Sequence, residues 1–109
     1  MVKVNGTTIE MTRGDSFTAT LTLKDAAGNE YVPNQEDVIR FAMKQRYSDS
    51  APKIMKVIPN ADLTLTLDPA DTKNLKFGTY VYDIQITFAD GRVDTFIDRA
   101  KLIITEEVD

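Results

Sequence analysis

From Tyr80 to Phe88, large apolar residues hold every second position: Tyr80, Tyr82, Ile84, Ile86 and Phe88, separated by Val81, Asp83, Gln85 and Thr87. A period of two puts each set on one face of a strand, so the pattern predicts a β-strand with one buried face. Asp90-Gly91 follows, and a two-residue type I′ turn, whose central residues both need positive φ, suits this pair. The returning strand then sets Phe88 opposite Val93, Ile86 opposite Thr95 and Ile84 opposite Ile97 on the inner face, with Gln85 against Phe96 on the outer one. Continued unbroken, that register opposes Asp83 to Asp98 and turns Arg99 and Lys101 into the core. Like charges directly opposed destabilise a ladder, whereas one inserted residue near Asp98-Arg99 turns Ala100, Leu102 and Ile104 inward. The sequence therefore predicts a bulge there.

The same alternation marks other strands. Thr7 to Met11 reads as a first strand and Arg13-Gly14-Asp15 as a turn, after which Phe17, Ala19, Leu21 and Leu23 alternate with Ser16, Thr18, Thr20 and Thr22. A turn over 24–30 leads into an extended Tyr31-Val32-Pro33. Ile39, Phe41 and Met43 make another strand, broken at 48–52, and Lys53 to Ile58 an edge strand whose Lys53 and Lys56 discourage pairing with a second molecule. Leu63, Leu65 and Leu67 form the next, which Asp68-Pro69 ends. Residues 69–75 suit one helical turn, with Asp68 as N-cap and Pro69 in first position. About seven short strands without a long helix indicate an all-β sandwich in a single domain over 1–109. Leu75-x-x-Gly78-x-Tyr80-x-Tyr82 has the order of the tyrosine corner of immunoglobulin-like domains, which predicts an antiparallel immunoglobulin-like sandwich with the Tyr80 hydroxyl bonded to upstream backbone.

Composition narrows the chemistry. The 109 residues contain no cysteine and no histidine, which removes disulfide frameworks, thiol catalysis, imidazole bases and His or Cys metal sites. A net charge of -4 argues against a general nucleic-acid surface. No apolar run approaches a membrane span, and the first residues lack the apolar core of a secretory signal, so synthesis in the cytoplasm is expected. Asp68, Asp71, Asp83, Asp90, Asp94 and Asp98 read as turn, cap and outer-sheet residues rather than as a calcium loop or a glycosidase pair. The expectation is a non-enzymatic chain with no catalytic residue, no cofactor and no metal. Arg13-Gly14-Asp15 spells an integrin tripeptide but reads as turn chemistry. The acidic end, Glu106-Glu107-Val108-Asp109, reads as a solvated tail. Arg40, Lys44, Arg46, Lys53 and Lys56 concentrate positive charge in the middle third, with Asp49 as the acid among them. Tyr47 adds an aromatic to this cluster, and Phe96, between Asp94 and Asp98, is expected to face outward. Phe96, Tyr47, Arg46 and Lys44 are thus the candidate partner contacts, and Tyr80 the structural corner.

Arg13 to Leu21, the turn through Gly28-Asn29, Asp71-Thr72-Lys73, Gly78 to Ile84, Phe88-Ala89-Asp90-Gly91 and Ile103 to Glu107 together resemble small proteins encoded among structural genes of Gram-positive phages and prophages. The similarity extends to the amino-terminal domain of phage baseplate upper proteins, an immunoglobulin-like sandwich that anchors receptor-binding parts to the tail. The resemblance implies a virion structural module of a tail, baseplate or fibre. Its partners would be other virion structural proteins, with homo-oligomerisation possible and neither nucleic acid nor membrane engaged. It implies no catalytic residues, and it places the protein, made in the bacterial cytoplasm, in the virion. The alternative is a carbohydrate- or ligand-binding module of a bacterial surface protein, using exposed aromatics such as Tyr31, Tyr47 and Phe96.

Overall fold

A computed structural model of the chain describes residues 2–5 as backbone, and 7–24 and 27–106 in full. Parts of three sequence readings lie outside the described residues: the chain start at Met1 and Gly6, the turn positions Asp25 and Ala26, and the end of the acidic tail at 107–109. The elements in order are β1 (Val2–Asn5), β2 (Thr8–Thr12), β3 (Phe17–Thr20), β4 (Val38–Lys44), β5 (Ile54–Ile58), β6 (Thr64–Leu67), the helical turn α1 (Pro69–Thr72), β7 (Gly78–Thr87) and β8 (Val93–Thr105). They form a six-stranded sheet ordered β1-β2-β8-β7-β4-β5 and a two-stranded sheet of β3 and β6.

Alternation dictates how the sheets meet. Ile39, Phe41 and Met43 of β4 and Tyr82, Ile84 and Ile86 of β7 are buried on one face of the large sheet, and Phe17, Leu65 and Leu67 on the facing side of the small one. Two layers that each hide one face against the other make a sandwich-like all-β fold. Strands β4, β7 and β8 are neighbours in one layer and β3 and β6 pair in the other, the division that immunoglobulin-like sandwiches make. At the start of β7 the Tyr80 hydroxyl donates to the Lys76 carbonyl at 2.7 Å, which is the corner geometry. Tyr82, two residues on, donates its hydroxyl to the Thr7 carbonyl and so ties β7 to the approach to β2.

Three features refine the expectation. Among the described residues there are eight strands, in keeping with the expected seven or so, the added one being β1, which precedes β2 in a hairpin. The sheet is not wholly antiparallel, since β2 runs parallel to β8, with Ile9 opposite Leu102 and Met11 opposite Ile104. The turn at Arg13-Gly14-Asp15 carries the chain across to the other sheet, so β2 pairs with the last strand rather than with β3, and alternation specifies a strand's face, not its partner or direction.

The third change lies in the β7–β8 hairpin. Phe88 donates its N–H to the Arg92 carbonyl at 2.8 Å and Gly91 donates to the Phe88 carbonyl at 2.9 Å, so the loop is Ala89-Asp90-Gly91, three residues rather than two. Gly91, at φ 90°, is the left-handed residue that such loops place last. The Asp90 carboxylate fixes the loop by accepting from the Arg92 amide at 3.0 Å and from its Nε at 2.8 Å. Thr87 therefore faces Val93, and Ile86 and Gln85 face Asp94 and Thr95, one residue off the two-residue turn's register. An extra residue at Phe96 restores the expected pair Ile84 with Ile97. A second irregularity, between Ile97 and Ala100, sets Tyr82 opposite Ala100 and turns Ala100, Leu102 and Ile104 inward, as the charge argument required.

Candidate functional site, the outer face of the large sheet

Because Ile39, Phe41 and Met43 point into the core, β4 turns Arg40, Ala42 and Lys44 outward, and β7 likewise presents Asp83 and Gln85. On β5, opposite Arg40 and Ala42, Val57 and Met55 are 66% and 54% exposed. Arg40, Ala42, Lys44, Met55, Asp83 and Gln85, with Ser50 and Pro52, line an open groove of about 280 Å³. The Arg40 guanidinium donates to the Thr87 hydroxyl at 3.3 Å, a long contact that leaves its remaining donors to solvent or a ligand.

The bulge on β8 shapes the neighbouring corner. Arg99 sits at φ 54°, a left-handed conformation, and its amide donates to Asp83 Oδ1 at 2.7 Å. Asp83 thus holds the bulge instead of opposing Asp98. The Arg99 guanidinium stands 4.1 Å from the centre of the Tyr47 ring, so the half-exposed Tyr47 is a cation–π partner to a strand two positions away in the sheet. The Tyr47 contact, with the Asp98 carboxylate 3.8 Å from the Arg99 Nε, raises the Arg99 pKa above its ordinary value. The Arg46 amide donates to Asp49 Oδ2 at 3.0 Å, closing the turn after β4 and leaving the Arg46 side chain exposed. Lys44, Arg46 and Tyr47 therefore share one end of the outer face.

Phe96 does not join them. Expected to face outward, it is partly buried at the first β8 irregularity, where its ring lies 6.2 Å from Tyr31 and packs on the core. The one-residue shift left by the three-residue loop is what turns it. Tyr31 in turn makes an edge contact with Phe88 at 5.9 Å and donates its hydroxyl to the buried Asp37 at 2.7 Å. The bond to Asp37, reinforced by burial, raises the Tyr31 pKa. The Asn34 amide donates to the same carboxylate oxygen at 2.9 Å, and Asn60 donates to the carbonyls of Asn34 and Asp37. This network was not read from the sequence; the Asn34-x-x-Asp37 spacing, in which a carboxylate accepts an amide three residues back, was its available signal. Tyr31 and Phe96 are thus a core-edge pair, with Tyr47 bound elsewhere to Arg99, and the three rings do not form one platform.

The integrin-like tripeptide is a packed turn. Gly14, at φ 85°, donates its amide to the buried Thr72 hydroxyl at 2.9 Å, and Arg13 reaches the Leu75 carbonyl at 3.2 Å while lying 4.3 Å over the Phe77 ring. Among the described residues no group of three His, Cys, Asp or Glu is placed to hold a metal ion, and no helix is long and apolar enough to cross a membrane.

No protein-family model matches the chain, and a search of curated proteins finds no relative. Its class is therefore the one its own geometry defines, an all-β sandwich-like protein.

Proposed function

We propose that the chain is a non-enzymatic structural module of a phage or prophage virion, acting in a tail, baseplate or fibre through protein–protein contacts. The observation that carries this reading is the outer face of the large sheet, where exposed Met55 and Val57 lie beside Arg40 and Lys44 on a strand hydrogen-bonded to β4 and to no further strand among the described residues. Apolar side chains ringed by long cations form a surface suited to another protein. The motif order shared with phage structural proteins supplies the setting. Co-expression with the products of neighbouring structural genes, followed by size-exclusion chromatography, tests it. Co-elution with one of them in fixed ratio is expected, whereas a strict monomer that binds none of them at high concentration contradicts the proposal.

A further inference from the structure

Strand β5 ends the large sheet, paired with β4 on one side and with no strand on the other among the described residues. Exposed edges present unpaired backbone groups and are ordinarily guarded by charge, proline or a bulge. Lys56, the charge within β5 that could guard this edge, stands opposite Phe41 on the inner side of the sheet. There its Nζ lies 2.9 Å from Asp71 and 4.0 Å from Asp68, beside α1. The outer side of the edge is left with Met55 and Val57, flanked by Arg40 and Lys44 and by Lys53 at the approach to β5. Among the described residues no carboxylate is in ion-pair range of these three cations. Asp83, across the groove, is engaged by the Arg99 amide.

We infer that the β5 edge takes up an extended, acidic segment of a partner protein, which adds a strand to the large sheet and sets its carboxylates against Arg40, Lys44 and Lys53. Main-chain hydrogen bonds to the edge would supply affinity, and side chains on Met55 and Val57 with carboxylates on the cations would supply selectivity. Charge decides against a second copy as occupant. A second β5, Ile54–Ile58, carries no carboxylate to set against Arg40, Lys44 and Lys53, and would bring its own Lys53 to the same cationic face.

The inference rests on reading the chain as a docking module, and its test needs no virion. A blocked peptide alternating valine and glutamate is titrated into the intact, isotope-labelled chain, with the valine–lysine peptide as control. The glutamate peptide is expected to shift the amides of 54–58, more weakly as salt rises, and the lysine peptide to leave them in place. Arg40→Glu with Lys44→Glu should weaken glutamate-peptide binding by about tenfold or more, and Lys53→Glu, outside the strands, provides the same reversal should the double variant fail to fold. No shift at 54–58, equal shifts with both peptides, or concentration-dependent shifts without peptide would each overturn the inference, the last because it assigns the edge to a second copy. Loss of co-elution with phage proteins would overturn the proposed setting while leaving this result unaffected.

Discussion

Tyr80 and Tyr82 are neighbours on one face of β7, yet their hydroxyls carry different loads. Tyr80 satisfies the Lys76 carbonyl within the corner, and Tyr82 reaches across to Thr7. Tyr80→Phe removes one hydrogen bond without changing the ring and should cost about 1 kcal/mol, seen as a fall in Tm of roughly 4–6 °C. Burial pushes the Tyr82 pKa up from 10.0 to about 12, and burial likewise raises that of Tyr80. An acid whose folded pKa is raised keeps its proton longer in the folded state, so its contribution to stability is complete below pH 10 and drains away as pH rises toward 12. Melting followed across this range should show Tm falling above about pH 10, and Tyr82→Phe should flatten that fall. An equally steep fall in the variant would assign the alkaline sensitivity to other groups.

Among the elements, the β7–β8 hairpin holds both the clearest sequence signal and its main correction. Alternation from Tyr80 to Phe88 specified the buried face of β7, and the clash of Asp83 with Asp98 specified the bulge, because both follow from residues on adjoining strands. The loop length did not follow, since Asp90-Gly91 suits a two-residue turn and a three-residue loop with glycine last equally well. One residue of slip there moved three pairs and turned Phe96 from the outer face to the core, which is why this candidate contact changed while Lys44, Arg46 and Tyr47 stayed at the surface. The parallel β2–β8 pairing, the Arg99–Tyr47 contact and the Asp37 network all join residues distant in sequence whose alternation is silent about partners. Gly91→Ala should cost about 1 kcal/mol; an added methyl meets nothing within 4 Å, so the cost is conformational. At Arg99, held at φ 54°, Arg99→Val should cost about 1–2 kcal/mol, whereas Arg99→Gly should melt close to the parent because relief of the left-handed backbone offsets the lost contact with Tyr47. Chemical denaturation of the three variants checks both expectations, and equal losses for Val and Gly at position 99 would mean that the backbone there is not under strain.

The whole molecule divides its surface unevenly. The large sheet ends in β1 on one side and in β5 on the other, and it is β5 that lies beside the middle-third cations. Of the two lysines expected to guard that end, strand alternation puts Lys56 on the inner side, where it pairs with Asp71, while Lys53 stays exposed at the approach to β5. A sandwich whose β5 edge borders a cationic outer face has the form of a part that is added to something larger, and the proposed function places that addition in a phage particle. Quantitative mass spectrometry of purified particles from the genome that encodes the chain tests this most directly. The account predicts the chain in every preparation at a fixed copy number relative to tail or baseplate proteins; its absence from particles, while abundant in the same lysate, would contradict it.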